Sequence, residues 1–111
     1  MYEGVIIKET LADELFLDHL AIDKVEIWKT STAIKYWTMV FFHSEKDNLP
    51  QCLANNIIDG WFADMKRGDV KFIIFKDKVL QYTIGNAAEK EEVLEYMRSI
   101  GIPESQFNWS E

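Results

Sequence analysis

The stretch YWTMVFFH, residues 36–43, constrains the fold more than any other part of the chain. A strand turns successive side chains to opposite faces. Counted with the residues before it, the run puts Ile34, Tyr36, Val40 and Phe42 on one side and Trp37, Met39, Phe41 and His43 on the other. Both sides are apolar. The run VKFIIF, residues 70–75, also lacks the polar alternation of a half-solvated strand. An antiparallel sheet can leave one face to water only if that face is polar. These strands therefore demand cover on both faces.

The remaining elements follow from local signals. YEGVIIKE at the start and KVEIWKTS, residues 24–31, have the β-branched composition of strands, and WFADMK and VLQYTI read as shorter strands. Thr10 with Asp13 three residues on, followed by Leu11, Leu15, Phe16 and Leu20 at helical spacing, predicts a helix ending near Leu20. Pro50 opens a second helix carrying Leu49, Cys52, Leu53, Asn56 and Ile57 at helical spacing, closed by Asp59-Gly60. Asn86 as N-cap, Glu89 at N3, Arg98 in the last turn and Gly101 beyond it mark a third. Its apolar stripe is Val93, Leu94, Met97 and Ile100.

The order is βαββαβββα in one domain over 1–111. Its first six elements match a ferredoxin-like two-layer α+β sandwich, here extended by a hairpin strand and a C-terminal helix on a mainly antiparallel sheet. The segments YEGVIIKE, KYWT, GWFAD and SIGIPESQFNW resemble a family of small uncharacterised prokaryotic α+β proteins, and the likeness runs over nearly the whole chain. That resemblance implies an α+β sandwich and carries no activity or site residue with it.

Nineteen acidic against twelve basic side chains give a net charge of -7, and the lysines are scattered, so a phosphate backbone would be repelled and nucleic acid is not an expected partner. No apolar run approaches the roughly 20 residues of a membrane helix, and the acidic opening MYEGVIIKET has no basic leader. The expected location is the cytoplasm. One cysteine rules out an internal disulfide, and no Cys/His set suits zinc. No cofactor motif is present.

Candidate chemistry is sparse. Asp59, Asp64 and Asp69 recur at a spacing of five, but they fall at a helix end, within a strand and in a turn, so cap, strand and turn roles are favoured and no metal is expected. Arg67-Gly68-Asp69 suits a hairpin tip better than a recognition tripeptide. Asn108-Trp109-Ser110 matches a glycosylation pattern but not the expected compartment. Cys52 lies in an apolar stripe, where a thiol acts as a small hydrophobe. His19 closes a helix. His43 shares a face with Trp37, Met39 and Phe41 beside Ser44 and Glu45, where an imidazole can act as acid or base, although a strand-end histidine bonded to a loop carbonyl is the simpler reading.

The expectation is a non-catalytic binding or self-association module whose second sheet face, with Trp37, Met39, Phe41, Ile73 and Phe75, meets a second copy in a homodimer or a small apolar ligand. The C-terminal helix or tail is the other available cover. The alternative is a small enzyme, isomerase- or oxygenase-like by analogy of fold, with a pocket beside the sheet, His43 as acid or base, and Tyr36, Tyr82 or Asp64 assisting.

Overall fold

A single strand organises the molecule. β1 (Tyr2–Ile7) pairs antiparallel on one side with β3 (Tyr36–Ser44) and on the other with β4 (Phe62–Arg67). β2 (Ala21–Lys29) extends the sheet beyond β3, and β5 (Val70–Phe75) and β6 (Lys78–Thr83) extend it beyond β4. The computed structural model describes residues 1–31 and 35–111; the sheet order is β2-β3-β1-β4-β5-β6, with every pairing antiparallel. Ile34, assigned above to the Tyr36 face, lies outside the described residues. The protein is thus α+β with a six-stranded antiparallel sheet.

Gly4 lets the centre of this sheet close. A Cβ there would stand 2.9 Å from the Asp64 carbonyl oxygen and 3.0 Å from the Met65 Cα, so β1 and β4 approach too closely for any other residue. Gly68, with φ +61°, makes the turn between β4 and β5, as the Arg-Gly-Asp spelling suggested.

The first face buries Tyr2, Ile6, Val40, Phe42, Met65, Phe72 and Ile74 beneath α1 (Leu49–Ala54) and the segment that links β1 to β2. That link is not the α-helix expected over residues 10–20. It is a pair of 3₁₀ turns, Lys8–Thr10 and Glu14–His19. Asn56 decides the matter from far along the chain: its carbonyl accepts from Ala12 N, its Oδ1 accepts from Asp13 N, and its Nδ2 donates to the Asp13 carbonyl. Leu11 is also bridged to Ile57. Leu11 and Asp13 are held extended, so no helix can run from Thr10, and the six residues that follow close as 3₁₀ turns. Thr10 consequently does not cap; its hydroxyl donates to the Ile7 carbonyl, while the Asp13 side chain takes Leu15 N. Leu15, placed in the apolar stripe by its spacing, points to solvent. The same bridge stops α1 at Ala54 and withdraws Ile57 from it.

α2 (Ala87–Ser99) crosses the second face, with Val93 and Met97 buried on Ile73, Phe75 and Tyr82. Asn86 caps it by accepting from Glu89 N, and Glu89 in turn accepts from Thr83 N. The chain then returns along the sheet through Phe107 and Trp109, which pack on the same cluster. α2 and this C-terminal strap cover the β4–β6 half of the face. Among the described residues no α-helix lies on the β2-β3-β1 half of this face.

Candidate functional site: a polar row beneath the C-terminal strap

The register of the strands places side chains of the second face in rows. One row runs His43, Glu3, Lys66, Lys71, Tyr82, one residue from each of β3, β1, β4, β5 and β6. The next runs Lys24, Phe41, Val5, Asp64, Ile73, Leu80. The first is polar throughout; the second is apolar except for Lys24 and Asp64.

At the centre stands Lys71. Its side chain is 4% exposed, and its Nζ lies 2.5 Å from Asp64 Oδ2 and 2.6 Å from the Ser110 carbonyl. Burial pushes the Asp64 carboxyl above its ordinary range; the hydrogen bond and charge of Lys71 oppose this and only partly offset it. Beside them the Tyr82 hydroxyl donates to Glu111 Oε2 and accepts from Trp109 Nε1 at 2.8 Å. Burial, then the Glu111 carboxylate, raise the Tyr82 phenol well above its usual value. The bond from Tyr82 holds the Glu111 carboxyl below its own, against a small burial effect and with help from Lys90. Lys66 Nζ donates to the Glu111 carbonyl and lies 3.5 Å from Glu3. The strap is thus fastened by three lysines and a tyrosine.

Between the strap and the open half of the sheet is a cleft of about 310 Å³. Val5 and Phe41 form its apolar floor, Glu3, Asp64, Lys66 and Lys71 one side, Ser110 and Glu111 the roof, and Asp23 the far lip. Phe41 is half-buried and lies under the Lys24 ammonium at 4.4 Å, a cation–π contact.

His43 is outside the lining of this cleft. Its Nδ1 meets Asp23 Oδ1 at 2.8 Å, and the two side chains are 42% and 52% exposed. Asp23 is the extra residue of a bulge in β2, between Ile22 and Lys24. Tyr82 stands four strands from His43, roughly 19 Å at the usual strand spacing. Tyr36 is exposed on the first face, so His43, Tyr36 and Tyr82 do not converge. Of the five residues assigned to the second face, Met39 is buried and Trp37 half-buried, the latter edge-on to Trp61 with its Nε1 unpartnered among the described residues. Ile73 and Phe75 lie beneath α2, so the chain itself covers that part of the face.

The three aspartates are held apart. Asp64 pairs with Lys71, and the Asp59 side chain accepts from Gly60 N. Asp69 takes Ile84 N on its carbonyl. No group of three potential metal ligands occurs among the described residues. Cys52 is half-buried against the first core, and His19 lies edge-on to Phe16.

Lys71, Lys66, Glu3 and Glu111 escaped the sequence argument. One signal was available for Lys71: it is the single polar residue on the Lys71, Ile73, Phe75 face of an otherwise apolar strand. Among the described residues no helix is long and apolar enough to cross a membrane. Comparison of the chain with protein-family models, curated proteins and solved structures gives no match.

Proposed function

We propose that the protein is a cytoplasmic binding module without catalysis, whose working surface is the open half of the second sheet face and the cleft beside the strap. The observation that carries this reading is the division of that face. α2 and the strap seal the β4–β6 half, while Val5 and Phe41 are left as the floor of a cleft of about 310 Å³ with charged walls. Such a space suits a small amphiphile that lays an apolar body on Phe41 and a polar head toward Lys66 and Asp64. The polar groups at the strap support binding over chemistry because each is engaged by another: Lys71 by Asp64, Tyr82 by Glu111, Lys66 by Glu3 and the Glu111 carbonyl. A catalytic acid or base must have a free partner position facing substrate.

The ferredoxin-like reading of the core belongs with this proposal. It is supported by the first four strands, in the order β2-β3-β1-β4, with the parallel strands β3 and β4 split by antiparallel β1. The enzyme reading retains one supporting observation. Asp23 anchors His43 Nδ1 and lines the cleft, which leaves the other ring nitrogen for a substrate.

The test is an NMR titration of the labelled protein with small amphiphiles such as arylalkyl amines and arylalkyl acids. Shifts clustered at Val5, Phe41, Lys66 and Ser110, with affinity weakened at least tenfold by Phe41→Ala in a folded variant, are expected. Shifts confined to other surfaces, or no effect of the substitution, would overturn the proposal.

A further inference from the structure

β2 is a nine-residue edge strand with no neighbour on its outer side among the described residues. Natural edge strands of this length are normally shielded by charge, proline or a covering element. This one carries charge at Asp23, Lys24, Glu26 and Lys29 and a bulge, yet it also exposes large apolar side chains. Of the eight large apolar side chains exposed among the described residues, Ile22, Val25, Ile27 and Trp28 come from β2, and a fifth, Tyr36, from the facing end of β3. Ile22, Val25 and Ile27 form one stripe on the first face, since they stand opposite Phe42, Val40 and Thr38. The stripe lies on the other side of the sheet from the cleft.

The occupant is specified by the strand's own order. The bulge takes Asp23 out of the ladder and turns its carboxylate to His43 on the second face. What remains to pair is Ala21, Ile22, Lys24, Val25, Glu26, Ile27, Trp28. Laid antiparallel on a second copy about Val25, this order sets Val25 opposite Val25, Lys24 opposite Glu26, Ile22 opposite Ile27 and Ala21 opposite Trp28. Every pair is apolar with apolar or cation with anion, and each lies on one face. Centring the pair one step either way that keeps the faces aligned would set Lys24 on Lys24 or Glu26 on Glu26, where like charges repel. Without the bulge, Asp23 would fall opposite Ile27. Lys24 and Glu26 already lie side by side in one chain, 2.9 Å apart, so pairing gives an alternating ring of four charges.

We propose that β2 pairs antiparallel with β2 of a second copy of this chain about Val25, joining two six-stranded sheets into one of twelve. The contact is isologous, so it closes at two copies and leaves no further edge of this kind open. The inference shares with the proposed function the idea of an open sheet that binds, and the two adjoin at Asp23 and Lys24; pairing uses the outer edge of β2, so Glu26→Lys, a residue outside the cleft lining, tests it without altering the cleft. His43 has a place in it as the residue that holds the bulge.

Sedimentation and light scattering of the full chain over micromolar to hundred-micromolar concentrations test it. The expected species has twice the 13.0 kDa mass of the chain. Lys24→Glu and Glu26→Lys, each of which sets like charges opposite at two places, should weaken self-association about 10- to 100-fold. Mixing the two variants should restore a dimer containing one of each, and the double exchange in one chain should restore self-pairing. Urea unfolding of each variant keeps misfolding apart from lost pairing, and only the charge rule predicts rescue on mixing. A monomer throughout the range, a dimer indifferent to both reversals, or a mixture that does not reassociate would each overturn the proposal.

Discussion

Replacing Lys71 by Met tests whether the polar row is a sealed structural element. At the observed 2.5 Å contact, an effective dielectric near 20 gives a Coulomb attraction of about 7 kcal/mol between Lys71 and Asp64. Desolvation of two ions costs several kcal/mol each, so the intact pair adds little net stability. Breaking it is another matter, because one charge is then left without its partner, at a usual cost of about 3–5 kcal/mol. Asp64 retains 20% exposure and can take up a proton, which argues for the lower end, about 3 kcal/mol. With a urea dependence of about 1.5 kcal/mol per molar, the midpoint should fall by about 2 M, read from tryptophan fluorescence. The pH dependence has a definite sign. Asp64 has a raised folded-state pKa, so its contribution to stability is present below its unfolded value and lost as pH rises through the folded one. Loss of Lys71 raises the folded value further, and the deficit of Lys71→Met should therefore grow as pH rises and shrink as pH falls. Lys71→Met with Asp64→Leu should recover to within about 1 kcal/mol of the native protein, since a buried ion pair replaced by apolar groups is often neutral. A single-variant cost below about 1 kcal/mol, the scale of an exposed pair, would refute the reasoning.

Gly4→Ala should destabilise by about 1–3 kcal/mol in urea unfolding, because the methyl meets backbone of Asp64 and Met65 that cannot move aside, and cleft shifts in NMR should follow. The Glu111 carboxyl, lowered by its bond from Tyr82, contributes to strap docking above its unfolded pKa and loses that contribution as pH falls through the folded one. Trp109 fluorescence should accordingly change below about pH 4 before the sheet unfolds, and not in Glu111→Gln. Asn86→Ala removes the acceptor for Glu89 N and should cost about 1 kcal/mol, seen as a lower thermal midpoint.

How far the chain was legible depends on the range of the physics. The six strands, the alternation of Trp37, Met39 and Phe41 against Val40 and Phe42, and the capped helix from Asn86 are written in neighbouring residues. The pleat and the helical turn impose periods of two and 3.6 on any chain. The need for cover on both faces followed from the same pattern, and α2 with the strap is the cover over Ile73 and Phe75. The expected first helix was not local in this sense. Thr10, Leu11 and Phe16 carry a helical pattern, yet the hydrogen bonds of Asn56, more than forty residues on, outcompete a short helix that water alone would barely sustain.

What the sequence determined by itself was therefore the inventory of elements, their apolar faces and the acidic, lysine-scattered surface, since each depends on covalent neighbours or on simple counts. Only the tertiary structure decided which residues stand side by side. Strand register brought His43, Glu3, Lys66, Lys71 and Tyr82 into one row, put Asp64 against Lys71, and looped Asp23 out of β2 so that the strand matches itself. Cross-strand neighbours are set by the pairing of segments far apart in the chain, and a shift of a single residue would turn each of these side chains to the opposite face.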